Sequence, residues 1–469
     1  MPVTIDAPIS WKNANGDDSI MLDHLQPNIV KPHVREFLTL IFLKFSDEAS
    51  GRSFVRSLSA DLMKSAKQHL NEIEAFKADP PVPGTPYVGL GLTRSGYDVL
   101  SVADIPDDQI FQAGMQKSDF NDPDVDSWDS YFRGSIHAVV LVADMLNDTK
   151  AQAHGKVLQL VDANPGVSVV GTQDGLGLHN DNREGIEHFG YVDGRSQPLF
   201  LREDIDAEED RTDGTANWDP AFPLKQIIVP DPAAPDPAVH FGSYFIYRKL
   251  EQNVRFFKAE EEKLAVRFGL SDGERAGAMA VGRFEDGTPV TMQSEDGVES
   301  PVPNNFNYFS DKNGAKCPFA GHIRKTNPRG SGGFEDMEGE RSHLMARRGQ
   351  TYGVRTDNPN DGMIANKPEK DVGLLFMAFN SDIANQFEFT QKVWANNPGF
   401  PAVPDEFPAP GVDPIIGQVP GDGPRPDMQG AVVWGQADSL TTVSAVPRTV
   451  TMKGGEYFFM PSLAFLRAL

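Results

Sequence analysis

The sequence contains a single cysteine, Cys317, among 469 residues. One thiol excludes an intrachain disulfide and any metal or iron–sulfur site built from several cysteines. Long apolar runs are also missing, since no stretch reaches the ~18 consecutive apolar residues that a membrane helix needs. The first residues lack a basic region followed by an apolar core. We therefore expect no secretory signal and a cytoplasmic protein.

Basic residues are scarce relative to acidic ones. The chain has 43 Lys and Arg against 67 Asp and Glu, which gives a formal net charge of −24. Binding to a nucleic-acid backbone or an anionic membrane surface requires clustered cations that displace counterions. The charge therefore argues against nucleic acid and membrane partners. Phenylalanine, by contrast, is abundant, with 30 residues against nine Tyr and five Trp, and this predicts large apolar interiors.

Apolar runs rich in β-branched and aromatic residues predict buried strands at residues 35–45, 87–93, 138–143, 242–248 and 373–379. Between the first two runs, apolar residues recur at three- and four-residue spacing from Phe54 to Ile73. This spacing predicts one long helix. Further helices are predicted at residues 150–160 and 254–268 and after Ser381 or Asp382, with Ile383, Phe387 and Trp394 on one face.

The middle of the chain suggests a boundary between two halves. Residues 202–215 are acidic without periodicity, which predicts a solvated loop. The Pro-rich residues 229–237 are typical of a linker. We therefore divide the chain into residues 1–228 and 229–469. Because strand–helix–strand patterns occur in both halves, we expect an α+β fold with facing sheets and not a parallel doubly wound sheet. The Pro- and Gly-rich residues 396–427 are predicted to form a long surface excursion.

Three motifs carry the chemistry. Residues 188–198 contain Gly-x-x-Asp-Gly around Asp193, where two glycines suit a tight backbone that aims a carboxylate into a cavity. Residues 317–329 contain Ala-Gly-His-Ile-Arg-Lys-Thr-Asn-Pro-Arg, with His322 at the third position. Residues 345–349 read Met-Ala-Arg-Arg-Gly and include Arg347. Taken singly, an Asp-Gly pair indicates a surface turn, and a lone His or Arg indicates a structural or surface residue.

In this order, the three motifs resemble those of the dye-decolourising peroxidases, a haem peroxidase family. The insert at residues 396–427 and the long interval between the second and third motifs resemble its larger members. The resemblance implies two ferredoxin-like halves that form a dimeric α+β barrel-type fold with antiparallel sheets and peripheral helices. It also implies a pocket for haem b formed mainly by the C-terminal half.

The resemblance also implies roles for single residues. His322 matches the position of the iron ligand, and His343 is the competing histidine. Asp193 and Arg347 match the distal acid and the distal arginine, with Arg348 as the alternative to Arg347. Peroxide cleavage needs a group that moves a proton and a fixed cation that stabilises the leaving oxygen. An arginine keeps its charge in a dry pocket, which suits the second role.

Other residues have two interpretations each. Leu374 and Phe376 alternate to one face of a strand and match the family's distal apolar pair, although ordinary strand core explains them comparably well. Glu388 is either the hydrogen-bond partner of the outer nitrogen of His322 or an exposed helix residue. Bulky dyes need an electron path to the surface, for which Trp394 is the first candidate and Tyr352 the second; both are more often packing residues.

The family implies a peroxidase that uses hydrogen peroxide to oxidise dyes and phenolic or other one-electron donors through a ferryl intermediate. Two alternatives stay open: a haem-binding or haem-handling protein of the same fold without significant turnover, and a haem-free α+β interaction module. No motif specifies the physiological donor, a manganese site or the oligomeric state.

Overall fold

One antiparallel sheet of ten strands runs through both halves of the computed structural model. The structure describes residues 2–211, 214–298, 301–359 and 361–469. The main-sheet strands are β1 (Phe37–Phe45), β2 (Tyr87–Leu92), β3 (Ala138–Asp144), β4 (Val167–Leu176), β5 (Val229–Pro230), β6 (Phe241–Gln252), β7 (Ala346–Arg347), β8 (Gln350–Tyr352), β9 (Gly373–Asn380) and β12 (Val450–Met460). A separate two-stranded sheet contains β10 (Met428–Ala431) and β11 (Leu440–Val443).

Helices surround this sheet. The α-helices are α1 (Gly16–His24), α2 (Pro27–Val30), α3 (Glu48–Asp61), α4 (Ala66–Lys77), α5 (Arg94–Val99), α6 (Gln109–Ala113), α7 (Asn147–Asp162), α8 (Arg202–Arg211), α9 (Val254–Phe268), α10 (Gly273–Val281), α11 (His322–Thr326), α12 (Met337–Ser342) and α13 (Leu463–Ala468). Two π-helical segments, Ala384–Glu388 and Thr390–Ala395, follow β9. Among the described helices, none combines the length and the apolar character of a membrane-spanning helix.

The strand order explains how the two halves join. It runs β4-β1-β3-β2-β12-β6-β9-β7, so the N-terminal strands lie on one side and the C-terminal strands on the other. The halves meet where Phe459 of β12 pairs with Leu92 of β2. The far ends also approach each other, because the Thr351 hydroxyl on β8 donates a hydrogen bond to the Leu176 carbonyl on β4. The sheet therefore curls into a barrel, and the predicted α+β fold with antiparallel strands is confirmed.

The five predicted strands are all present, because each is an apolar run buried within the sheet. All seven residues of β3 and all six of β2 are buried. Strands buried on both faces have continuous apolar sequences, which is why the pattern identified them without ambiguity.

The long helix predicted from Phe54 to Ile73 is wrong, because the structure has two helices there. Helix α3 ends at Asp61, and α4 begins after Ser65. The Ser65 hydroxyl accepts a hydrogen bond from the Gln68 backbone N–H, and the Gln68 side chain accepts one from the Ser65 N–H. This capping box starts a new helix, although the apolar spacing continues across the break.

The solvated loop predicted at residues 202–215 is also wrong over residues 202–211, which form α8. The N-terminal segment holds this helix: Glu203 accepts a hydrogen bond from the Ser10 hydroxyl at 2.6 Å, and Lys31 pairs with Asp204 at 2.5 Å. These partners lie far away in sequence, so local composition could not reveal them. Residues 212 and 213 of the predicted loop lie outside the described residues.

The Pro-rich segment at residues 229–237 is packed and not a free linker. Its first residues form β5, and the fully buried Asp231 accepts hydrogen bonds from the Ser462 hydroxyl at 2.7 Å and the Ser462 N–H at 2.8 Å. Ser462 also caps α13. The segment is thus tied to the last helix. The division of the chain at residues 228 and 229 stays a prediction.

Candidate active site

A large cavity brings the three motifs together. Its empty volume is about 1670 Å³, part of which is open to solvent, and its lining includes Asp193, His322, Arg347, Leu374 and Phe376. Small-molecule sites typically measure roughly 300–1,000 Å³. The cavity is therefore large enough for a bulky cofactor together with a small reactant.

His322 begins α11 and is held by a buried carboxylate. Its Nδ1 lies 2.7 Å from Oδ2 of Asp413, which is fully buried. The other oxygen of Asp413 accepts hydrogen bonds from the N–H groups of Ile415 and Ile416 at 2.8 and 3.0 Å. Among the described residues, Nε2 of His322 has no hydrogen-bond partner, and the side chain lines the cavity. A proton on Nδ1 thus leaves the Nε2 lone pair available.

The pKa shifts of His322 and Asp413 both favour the hydrogen bond between the imidazole and the carboxylate. Burial lowers the pKa of His322, but the charge and hydrogen bond of Asp413 outweigh burial and raise that pKa above its usual value. Burial also disfavours the charged form of Asp413 and so raises its pKa. His322 and the two backbone N–H groups outweigh burial, so the pKa of Asp413 lies below its usual value. Asp413 is therefore a charged acceptor for the imidazole.

Both interpretations of Glu388 are wrong, because it does not bond His322 and it is 7% exposed and not an exposed helix residue. Its carboxylate accepts hydrogen bonds from Ser118, Tyr457 and Lys392. The true partner, Asp413, lies in the 396–427 segment, whose interpretation as a surface excursion is wrong for this residue. Its sequence context, Gly-Val-Asp-Pro, is typical of a turn, so no local signal pointed to an imidazole partner.

Lys325 fixes the 396–427 segment against α11. Its buried ammonium donates hydrogen bonds to the carbonyls of Asn397 at 2.7 Å and Gly411 at 2.6 Å. Burial lowers the pKa of Lys325 to about 7. From the other side, the Arg425 guanidinium donates to the carbonyl of Asp413 at 3.2 Å. The carboxylate that orients His322 is therefore held by contacts on both sides.

The Gly-x-x-Asp-Gly loop has the tight backbone that its glycines predict. Gly190 and Gly194 have φ angles of +106° and +79°, in the region that favours glycine. Between them, the Asp193 carboxylate accepts a hydrogen bond from the Gly194 N–H at 2.6 Å and faces the cavity. The bend thus directs this carboxylate toward the cavity.

A second acid, which sequence reasoning missed, supports this loop. The Glu187 carboxylate accepts hydrogen bonds from the N–H groups of Phe189 at 2.8 Å and Tyr191 at 3.1 Å, and from the Gln252 side chain. Burial raises the pKa of Glu187 to about 7. Glu187 therefore fixes the backbone that leads to Asp193, and it lies outside the three motifs.

The side chains of Arg347 and Arg348 lie in different surroundings. The Arg348 guanidinium donates to the carbonyls of Asn28, Ile29 and Arg347 and is buried against the N-terminal helices. Arg347 lines the cavity, and in the described part of the chain its guanidinium has no hydrogen-bond partner. The structure thus places the first arginine of the pair, and not the alternative, in the cavity.

Asp193 and Arg347 act electrostatically on His322 with opposite signs. The carboxylate raises the pKa of the imidazole and the guanidinium lowers it, both less strongly than Asp413 raises it. Because both charges act on the same imidazole and all three residues line the same cavity, Asp193, Arg347 and His322 lie around one site. Leu374 and Phe376 line the same cavity from β9, and the Phe376 ring lies 5.9 Å from that of Phe387.

Two other histidines near the cavity are held by structural partners. His343 binds the Asn385 carbonyl through Nδ1 and Glu335 through Nε2 at 2.9 Å, so neither nitrogen is available to a metal. His188 bonds the Tyr352 carbonyl through Nε2 at 2.8 Å. His343 is therefore excluded as a competing ligand in this conformation.

The two aromatic candidates for electron transfer are buried. Trp394 is 2% exposed and Tyr352 is 4% exposed. The Trp394 ring stacks on Phe400 at 5.3 Å and meets His343 edge-on at 5.1 Å. Both residues pack inside the protein, and their role in electron transfer stays a prediction.

Comparisons with known proteins identify the family. A family model described as the DyP dimeric alpha+beta barrel domain matches residues 24–175. A curated dye peroxidase is 57% identical to this chain over 100% of both chains. Together with the barrel and the cavity, these matches show that the chain belongs to the dye-decolourising peroxidase family, and it is a peroxidase.

That curated relative is the multifunctional dye peroxidase DyP2 of Amycolatopsis sp.. The structure matches solved DyP2 with a TM-score of 0.95 over 100% of both chains. A DyP-type peroxidase of Anabaena sp., AnaPX, is 35% identical with a TM-score of 0.89, covering 98% of this chain and 96% of that one. A dye-decolourising peroxidase solved in complex with 2,6-dimethoxyphenol is 25% identical with a TM-score of 0.75, covering 95% and 98%.

Proposed function

We propose that the cavity binds haem b with His322 as the protein ligand of the iron. We further propose that the protein uses hydrogen peroxide to oxidise dyes, phenols and other one-electron donors. The observation that carries this proposal is the free Nε2 of His322, which lines the cavity while Nδ1 is bound to buried Asp413. Peroxidases of the family are haem enzymes, which supports the choice of cofactor.

The residues around the cavity fit haem b. Its apolar walls include Phe189, Val281 and Val450, which suit the face and edges of a porphyrin. Asp413 keeps the imidazole proton on Nδ1 and increases the electron donation of Nε2, as carboxylates commonly do for metal-bound histidines. When bound, haem supplies the oxidation–reduction chemistry that the amino acids themselves lack.

Asp193 and Arg347 would act on hydrogen peroxide. The Asp193 carboxylate takes the proton from one peroxide oxygen and returns it to the oxygen that leaves as water. The Arg347 guanidinium stabilises the negative charge that develops on the leaving oxygen. Leu374 and Phe376 narrow the space between these groups, so that peroxide enters and bulky donors stay outside.

Donors would therefore deliver electrons at a distance or at the cavity mouth. The phenol complex of a 25% identical family member supports phenolic donors. The net charge of −24 favours encounter with cationic dyes.

Trp394 is our first proposal for the aromatic residue that passes electrons between the cavity and the surface, and Tyr352 is the second. The cytoplasmic location and any oligomer stay predictions.

The test is the visible spectrum of the purified protein before and after one equivalent of hydrogen peroxide. We expect a Soret band that is lost in His322→Ala and retained in the matched control His343→Ala. In stopped-flow measurements, Arg347→Leu should slow the reaction with peroxide by roughly 10²–10³-fold, and Asp193→Asn by roughly 10²-fold or more.

Three other results would contradict parts of this proposal. A Soret band that survives in His322→Ala would remove His322 as the ligand. A band that peroxide only bleaches slowly would favour a haem-handling protein without turnover. If no band forms after haem is added to the wild-type protein, the cavity does not bind haem and the proposal fails.

A further inference from the structure

Arg283 is a buried cation at the wall of the cavity. It follows α10 directly after Gly282, is 2% exposed and lines the cavity. Its Nη1 donates hydrogen bonds to the carbonyls of Gly287 at 2.7 Å and Pro303 at 2.9 Å. These two neutral acceptors fix the guanidinium in place without neutralising its charge.

At the other end of this guanidinium, Nη2 is buried, and no hydrogen-bond acceptor reaches it within the described residues. No carboxylate in that part of the chain lies within ion-pair distance of Arg283. Burial is the main cause that lowers the pKa of Arg283 to about 10, and Arg195 and Arg347 lower it further. The group is still charged at neutral pH. Apart from the Phe306 ring, whose centroid lies 5.2 Å from its Cζ, this buried positive charge at the cavity wall has no charge partner among the described residues, which is costly unless an anion binds there.

Arg283 lies near residues that belong to the reactive groups. A Cβ placed on Gly282 would lie 3.1 Å from Cβ of Ile323, so this turn packs beside α11, which begins with His322. On the other side, the charge of Arg347 acts on Arg283. If His322 ligates haem b in this cavity, the anionic groups that the cofactor would bring to the cavity wall are its two propionates.

We propose that Arg283 binds a haem propionate, with Nη2 donating a hydrogen bond to the carboxylate. This inference rests on the proposed binding of haem in the cavity. Arg283 would then be a binding residue outside the three motifs. The same guanidinium chemistry would also bind the free carboxylate of an anionic donor, so the test must separate these two sources.

The experiment titrates the haem-free protein with haem b and, in parallel, with haem b dimethyl ester, whose propionates carry no charge. Binding is followed by the Soret absorbance and not by activity. For Arg283→Gln we expect affinity for haem b to fall by roughly 10–100-fold, as charge-assisted hydrogen bonds predict. Affinity for the dimethyl ester should change by less than about threefold from that of the wild type.

Two further variants sharpen the comparison. Arg275→Gln is the matched control, because Arg275 also donates to two carbonyls, those of Val432 and Ala431, but does not line the cavity. It should leave both affinities unchanged. Arg283→Lys keeps the charge and should retain part of the affinity for haem b. Circular dichroism of each haem-free variant shows whether the fold is intact.

An equal loss for haem b and its dimethyl ester in Arg283→Gln would overturn the inference, because a general disruption would then explain the result. Unchanged haem b affinity, with a raised KM for ferulate but not for methyl ferulate, would also overturn it and assign the site to free carboxylates. If wild-type protein binds neither haem, the proposed function itself fails, which is a distinct outcome.

Discussion

The hydrogen bond between His322 and Asp413 joins residues 91 positions apart. Its effect is electronic as well as geometric, because a charged carboxylate bound to Nδ1 increases electron donation from Nε2. A more electron-rich ligand stabilises the oxidised states of a metal. At this scale, one buried side chain in an irregular segment determines the chemical character of the residue that the motif identifies.

Replacing Asp413 with Asn should therefore raise the reduction potential of the bound iron. The amide fills nearly the same volume and still accepts a hydrogen bond from Nδ1, but it removes the negative charge. We also expect the rate of reaction with peroxide to fall by roughly 10–100-fold, the usual effect of changing a partner of a metal-bound histidine. Spectroelectrochemical titration and stopped-flow absorbance measure the two effects.

Glu388→Gln is the control for this experiment. It makes the same chemical change at a carboxylate that bonds Ser118, Tyr457 and Lys392 and not His322. Its potential should match that of the wild type. Equal shifts in the two variants would show that general loss of charge, and not the contact with His322, controls the potential.

Asp193, His322 and Arg347 were predictable because their three motifs, taken together and in order, resemble those of a known family; taken singly, each motif indicates a turn or a structural residue. The supporting residues were not predictable in this way. Asp413 bonds His322 from 91 positions away, and Glu187 combines local bonds to the N–H groups of Phe189 and Tyr191 with a bond from the distant Gln252; the sequence neighbours of both acids resemble ordinary turns. A side chain whose role depends on tertiary contacts leaves no local periodicity or motif.

Among the elements, buried strands were predictable and helix ends were not. The apolar spacing from Phe54 to Ile73 passes through the break between α3 and α4, because both helices pack against the same interior. Periodicity reports which face is buried and not whether the backbone is continuous. The break is determined by the hydrogen bonds of Ser65 and Gln68.

Ser65→Ala should lower the free energy of unfolding by about 1 kcal/mol, within the range of roughly 0.5–2 kcal/mol for loss of a helix cap. The mutation leaves the Gln68 N–H at the start of α4 without its acceptor. Urea unfolding followed by circular dichroism measures the change. Ser53→Ala, at an exposed position within α3, should be neutral or slightly stabilising. A similar loss in both variants would contradict a specific role of the cap.

On the scale of the whole molecule, buried carboxylates contribute stability in mild acid. Burial raises the pKa of Glu187 to about 7 and that of Asp231 to about 6. In the unfolded chain both groups release their protons at lower pH. Between about pH 4 and pH 7 these two groups therefore bind more protons in the folded than in the unfolded state, so their contribution to the free energy of unfolding falls as pH rises through this window. Burial lowers the pKa of His33 to about 3 and that of His69 to about 4, and the contribution of these histidines changes in the opposite direction.

For Glu187 alone, the free energy of unfolding should fall by roughly 3 kcal/mol across this window, because a difference of one between the folded and unfolded pKa values corresponds to about 1.4 kcal/mol. Glu187→Gln removes this contribution. Going from pH 5 to pH 8, the free energy of unfolding measured with urea should therefore change less favourably in the wild type than in Glu187→Gln. Identical pH profiles for the two proteins, or a difference of the opposite sign, would contradict this interpretation.

The position of β12 has a consequence for how the protein is made. This strand lies in the sheet between β2 of the first half and β6 of the second, yet every other strand of the sheet precedes it in the sequence. On the ribosome, the N-terminal strands emerge first, with the edge of β2 unpaired until residues 450–460 leave the exit tunnel. An exposed strand edge is prone to pairing with other chains. The growing chain therefore stays vulnerable to aggregation until synthesis is nearly complete, and chaperones that shield strand edges should improve its yield.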